Sequence, residues 1–168
     1  MNDDFIKASG TPFIAHRLKR LSEHIVTAIG CLIEAKQLDV PPTAGSTLLV
    51  LAAHERAGVM EIAERLRVSH PFIVRVVAKL EALGLITIKN DRDDLRRKWL
   101  TLTEKGRAEA AHLNRLNRDL DVVFRRVFEE AGVDLLDAVD RFEAALAREP
   151  LAGRLQSQLS SEDTPCVR

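Results

Sequence analysis

Nine side chains between Arg65 and Lys98 are basic: Arg65, Arg67, Arg75, Lys79, Lys89, Arg92, Arg96, Arg97 and Lys98. Four acids, Glu81, Asp91, Asp93 and Asp94, share that stretch and leave it at +5. Between Glu129 and Glu149 the sign reverses, with seven acids against Arg141 and Arg148, for −5. The whole chain is neutral, and neutrality alone argues mildly against a nucleic-acid binder. Segregated charge changes that reading, because it gives an uncharged protein a local positive field. The chemistry this suits is pairing with a polyanion, which places DNA at the basic middle of the chain.

The other chemistry-bearing residues are sparse. His16, His24 and His112 could meet between two helices, yet no H-x-x-x-H pair or carboxylate pattern makes a metal site specific, so surface histidines and no metal are expected. Cys31 lies on an apolar helix and is expected as a small core residue. Cys166 is far from it in sequence, and two free thiols in a reducing compartment are the expectation. The sequence carries no nucleophile elbow, phosphate-binding glycine loop, zinc-protease motif or isolated carboxylate pair in an apolar setting, so neither an enzyme nor a cofactor is expected. No run of about 18 apolar residues suggests a membrane span. The acidic start Met1-Asn2-Asp3-Asp4 lacks the pattern of a signal peptide, so a cytoplasmic location is expected.

The elements that must position the basic stretch can be read from periodicity. Residues 1–10 read as a loose arm. Thr11 as N-cap and Pro12 in the first turn open a helix carrying Phe13, Leu18, Leu21, Ile25, Ile29, Leu32 and Ile33 to about Gln37. Gly30 weakens its interior by roughly 1 kcal/mol, so a packing reason is expected. Asp39-Val40-Pro41-Pro42 breaks the chain. Three shorter helices follow, at about 43–55, 59–66 and 69–83, with only Arg67-Val68 between the last two. Gly84 is placed to stop the last of them. Leu85-Ile86-Thr87-Ile88 and Trp99-Leu100-Thr101-Leu102 then read as strands, joined by a charged loop from Lys89 to Lys98. Helical periodicity returns to about Glu130 through Leu113, Leu116, Leu120, Val123, Phe124, Val127 and Phe128, and again from Val133 to about Arg148. The tail beyond Pro150 is short, polar and expected to fray.

Helix, tight turn, helix and hairpin make a winged helix-turn-helix. Ile62, Ala63 and Leu66 must pack on Ile73, Val76, Val77 and Leu80, so the second helix projects toward the major groove while the cationic hairpin reaches backbone or minor groove. At Glu61-Ile62-Ala63-Glu64-Arg65-Leu66 and Leu80-Glu81-Ala82-Leu83-Gly84-Leu85-Ile86 the chain resembles the MarR family of regulators. Asp94-Leu95-Arg96 matches that family's D-x-R wing signature, and Leu100-Thr101-Leu102-Thr103-Glu104-Lys105-Gly106 matches its close. The resemblance spans about Thr11 to Arg148 and is sharpest from Glu61 to Gly106.

The resemblance implies a mainly α fold: a winged helix-turn-helix core at 43–103, with a two-stranded β wing, flanked by dimerisation helices at 11–38 and 104–149. An arm at 1–10 and a tail at 150–168 complete it. It implies a homodimer on double-stranded DNA, reading an inverted repeat whose half-sites lie roughly 34–36 Å apart, as a repressor answering a small-molecule effector. The DNA contacts it implies are Ser69, His70, Phe72, Arg75, Lys79, Arg92, Arg96 and Arg97, with Asp94 and Arg96 paired to shape the wing. Peroxide sensing in that family uses an N-terminal cysteine held by tyrosines, and this chain has no tyrosine.

Two departures stand out. The first turn of the reading helix is Ser69-His70-Pro71-Phe72-Ile73-Val74, where the family carries Ser and Thr. Phe72 and Val74 can offer only apolar contacts, for example to a thymine methyl. Ile88 stands where the family has arginine. These residues keep an alternative open, a winged-helix module that binds a protein or has lost specific DNA binding.

Overall fold

The computed structural model describes residues 4–91 and 98–162. The chain divides into two units, residues 1–117 and 118–168. The first opens with a one-turn helix, α1 (Phe5–Ala8), inside the stretch expected as a loose arm. Asp4 caps it by accepting from the Lys7 amide at 3.1 Å, and also pairs with Arg20 at 2.8 Å. The Phe5 ring meets Phe13 edge-on at 5.8 Å. Thr11 is not the N-cap expected of it. Gly10 turns the chain at φ 72°, and Thr11–Phe13 wind a 3₁₀ turn closed by the Phe13 amide on the Gly10 carbonyl.

Helix α2 (Ile14–Ala35) is amphipathic, as its periodicity predicts, yet Ile33 is its one buried residue. The close approach expected at Gly30 is present: a Cβ there would lie 3.2 Å from Pro42 Cγ. Cys31 faces outward and is exposed, which corrects the expectation of a core thiol. The inward face of α2 runs through half-buried Ile25, Ile29 and Gly30 to Ile33, and Cys31 is off that line.

A 3₁₀ turn (Pro42–Ala44) leads into α3 (Gly45–Ala53), followed by α4 (Val59–Leu66) and α5 (His70–Ala82). Leu48, Ile62, Ile73, Leu80, Leu85 and Leu100 are fully buried and form the centre of this core. Ala63, Val76 and Val77 are buried around it, as the helix-turn-helix pattern requires, while Leu66 is only half-buried.

Strands β1 (Ile86–Asn90) and β2 (Lys98–Leu102) pair antiparallel in the register Ile86 to Leu102 and Asn90 to Lys98. The strands therefore run further than expected, and Lys89 and Lys98 belong to the ladder rather than the loop. A backbone bridge ties Ala57 to Leu100 in both directions, at 3.2 and 2.9 Å.

Helix α6 (Glu104–Ala131) starts against that sheet. The second unit holds its last turns, α7 (Leu135–Arg148) and α8 (Leu151–Glu162). Gly132, at φ 67°, ends α6, and the Asp134 carboxylate starts α7 by accepting from the Leu136 and Asp137 amides. The stretch from 151 to 162, expected to fray, is helical. Arg154 fixes its first turn by donating to the Ala145 and Glu149 carbonyls, both at 2.9 Å. No residue of α7 is buried. Among the described residues no helix is long and apolar enough to cross a membrane.

Candidate nucleic-acid interface

The turn between α4 and α5 is short because α4 ends in a left-handed cap. Arg67 takes φ 52°, its amide donates to the Glu64 carbonyl, and the Val68 amide reaches back to Ala63 at 3.0 Å. This is the hydrogen-bond pattern that glycine usually serves. A non-glycine residue there costs on the order of 1–2 kcal/mol, so the tight crossing holds an arginine at the mouth of α5 despite that strain.

Ser69 is the N-cap residue of α5, as expected, but its side chain makes no capping bond. Its carbonyl does the work instead, accepting from the Phe72 amide at 3.0 Å and the Ile73 amide at 3.3 Å. Ser69 and His70 are exposed at the start of the helix. Phe72 is half-buried, on the flank of the helix. Val74, one turn on from His70, is 46% exposed and is the larger apolar feature of the outward face. Arg75 and Lys79, one turn apart, are exposed on that same side. Among the described residues Arg67, Arg75 and Lys79 enter no ion pair, whereas Arg65 is held by Glu61 at 3.0 Å. That bond holds the Glu61 carboxyl below its ordinary value.

The wing is anchored at its base. The Trp99 indole N–H donates to Asp91, and the Arg56 guanidinium lies 4.3 Å from the centre of the Trp99 ring. On the same strand face Thr87 and Thr101 share a hydroxyl hydrogen bond of 2.8 Å. Thr103 then binds three ways: its amide donates to Leu85 O, its hydroxyl donates to Gly84 O at 2.7 Å, and the same oxygen accepts from the Gly106 amide at 2.9 Å. Lys105 adds a bond to the Leu83 carbonyl at the end of α5 and an ion pair to Asp39. The end of α5, the hairpin and the start of α6 are thus one hydrogen-bonded joint. Arg92, Asp94, Arg96 and Arg97, and with them the expected Asp94–Arg96 pair, lie outside the described residues.

Sequence reasoning weighed Val74 but did not place it among the contact residues, and it missed Arg67 and the Arg56–Trp99 contact. Helical periodicity could have found Val74, since its outward position follows from the inward set Ile73, Val76, Val77 and Leu80. Nothing in the sequence marks Arg56, because a cation over a ring depends on the bridge that brings Ala57 beside Leu100. His16, His24 and His112 are exposed, and among the described residues no three metal-ligating side chains gather. A cleft of about 560 Å³ lies between the end of α3, β2 and the start of α6, with His54, Thr101, Arg107 and Asn114 among its lining.

The sequence model of the MarR family matches residues 38–97. No curated protein sequence matches the chain significantly. Among solved structures, the transcriptional repressor CouR, bound to a 23-mer DNA duplex, is 30% identical, with 79% of this chain and 91% of that one covered and a TM-score of 0.61. MepR of S. aureus, solved with DNA, is 20% identical over 80% of this chain and 93% of its own, at a TM-score of 0.63. A MarR transcriptional regulator from Methanosarcina mazei Go1 shares the fold at 20% identity and a TM-score of 0.62, over 82% of this chain and 99% of its own. With the family match falling on the helix-turn-helix and the first strand of the hairpin, and CouR matching most of the length, this chain belongs to the MarR family of winged-helix transcriptional regulators.

Proposed function

We propose that the protein is a sequence-specific regulator of transcription that binds double-stranded DNA as a homodimer on an inverted repeat, and that it represses. The observation that carries this is the outward face of α5, where Arg75 and Lys79 stand exposed and free of ion pairs among the described residues, beside a hairpin tied to the same joint. An α-helix fits the major groove, and cations with no internal partner are available to phosphates and to guanine edges. The likeness to CouR, a repressor solved on DNA, supports repression.

Dimerisation is assigned to 11–38 and 104–149, because their helices leave apolar faces uncovered. Leu18, Leu21 and Leu32 on α2, Val123 and Val127 on α6, and Leu136 and Phe142 on α7 are all between 40% and 67% exposed. So many apolar side chains are what an interface between copies would bury. The proposal includes release by a small-molecule effector, for which the cleft beside α3 has a suitable size.

Footprinting on the promoter next to the gene should protect an imperfect inverted repeat, and sedimentation at micromolar concentration should give a dimer. Arg75→Ala should weaken specific binding by about 10- to 100-fold, the scale of a lost bidentate base contact. Arg96→Ala should weaken all sequences alike and lower the salt slope by about one. Equal affinity for the upstream region and for shuffled DNA would defeat the reading. Affinity for a protein partner that barely responds between about 50 and 200 mM salt would favour the interaction module instead.

A further inference from the structure

We propose that Val74 determines specificity by packing on the 5-methyl group of one thymine in each half-site. This rests on the reading above, that α5 enters the major groove, and goes beyond it by naming a base and the atom of that base which is recognised.

The reading helix is short of hydrogen-bond donors at the end that enters first. Pro71 has no N–H, and the Phe72 and Ile73 amides are both spent on the Ser69 carbonyl. Base reading therefore falls to side chains. Those exposed along the outward face are His70, Pro71, Val74, Arg75, Ala78 and Lys79, since Ile73, Val76, Val77 and Leu80 are buried behind them and Phe72 is half-buried to one side; Val74 is the branched aliphatic side chain among them. Val74 lies between His70, one turn before it, and Arg75, the next residue. The cations Arg75 and Lys79 supply the charge that holds a duplex against this face, so the occupant that fits is nucleic acid rather than an apolar protein surface.

Within the major groove, thymine alone among the four bases presents a methyl group. Valine is suited to recognise it, because its branched side chain has one dominant rotamer in a helix and loses little freedom on contact. Its 46% exposure shows that the side chain is not needed for the core, so its chemistry is available to a ligand.

The test uses the full-length protein and a labelled duplex carrying the protected segment, with affinity read by fluorescence anisotropy at fixed salt. Each thymine in the protected half-sites is replaced in turn by deoxyuridine, which removes the methyl and keeps the pairing. For wild type, one such position should cost roughly fourfold, the scale of burying one methyl, and roughly fifteenfold when changed in both half-sites. Val74→Ala, which acts in both half-sites at once, should lose roughly fifteenfold on the thymine duplex and no longer distinguish thymine from deoxyuridine. Val74→Thr, which keeps one methyl, should fall between the two.

Specific binding that is indifferent to every deoxyuridine would overturn this inference and leave the regulator reading intact. So would a deoxyuridine penalty that Val74→Ala retains, since another side chain would then be the reader. Failure of wild type to prefer its own upstream DNA over shuffled DNA would overturn both.

Discussion

A methyl group added at Gly106 would enter a place in the joint where two backbones meet closely. The Cβ of Gly106→Ala would lie 1.9 Å from the Leu85 carbonyl oxygen and 2.9 Å from its carbon. Neither is the end of a flexible side chain. Restoring an ordinary contact requires the start of α6 and the end of the α5–β1 turn to part by about 1.5 Å. The movement would strain the Thr103 amide bond to Leu85 and the Thr103 hydroxyl bonds to Gly84 and Gly106. Overpacking of this kind costs about 1–3 kcal/mol, and each weakened hydrogen bond about 1 kcal/mol more. The better helix propensity of alanine offsets about 1 kcal/mol. A net loss of about 3–5 kcal/mol follows, or roughly 6–20 °C in Tm for a chain of this length. Gly84→Ala is the control, because its Cβ would meet nothing within 4 Å and its only difficulty is φ 69°; it should cost about 1 kcal/mol. Urea unfolding at one protein concentration, followed by circular dichroism, separates them. If Gly106→Ala comes out as mild as Gly84→Ala, the joint is not the close contact described.

Three further outcomes follow from the same structure. Thr47 is buried at 0% exposure and, among the described residues, its hydroxyl has no hydrogen-bond partner, so Thr47→Val should raise stability by about 1 kcal/mol in the same unfolding assay. Asp4 is held below its ordinary value of 3.8, first by the Arg20 guanidinium and then by the Lys7 amide. A depressed carboxyl gives a contribution present above the unfolded value and lost as pH falls through the folded one. NMR titration of Asp4 should therefore show a midpoint under 3.8 that rises in Arg20→Ala, and an unmoved midpoint would refute the pair. Trp99 is the chain's single tryptophan, so removing the cation over its ring with Arg56→Ala should shift its emission and cost about 0.5–1 kcal/mol.

The helix-turn-helix was legible because its constraints are local and redundant. Two helices separated by Arg67-Val68 can only cross steeply, and Ile62, Ile73 and Leu80 at helical spacing fix which faces meet. Gly84 could be read as a left-handed stop, since few other residues adopt that conformation cheaply. Errors came where a bond from elsewhere decided the outcome. Arg154 reaching the Ala145 carbonyl makes a helix of a tail whose composition suggests fraying. Asp4 pairing with Arg20 winds part of an arm that has no periodicity of its own. Thr11 has the right chemistry for a cap, but the Gly10 turn takes the chain into a 3₁₀ turn first.

The candidate site was legible in kind and less so in detail, for a related reason. Charge is additive along a sequence, so the basic stretch from Arg65 to Lys98 announces a polyanion partner whatever the fold does. Which of those cations is free is a pairwise property. Arg65 is neutralised by Glu61 one turn away, while Arg67, Arg75 and Lys79 have no such partner among the described residues. The i,i+4 pairing of Glu61 with Arg65 is itself a sequence rule, so that distinction was within reach. The three hydrogen bonds of Thr103 were not, because they depend on the hairpin returning to the end of α5. That return makes the wing and the reading helix a single body, and a protein that must span a groove and its neighbouring backbone gains affinity when those two elements arrive already oriented. Loosening the joint should therefore cost DNA affinity even though Thr103 and Gly106 carry no charge. Thr103→Val, which deletes the hydroxyl and keeps the shape, should lower affinity several-fold at unchanged salt slope. A variant that binds as tightly as wild type would show that the joint serves stability alone.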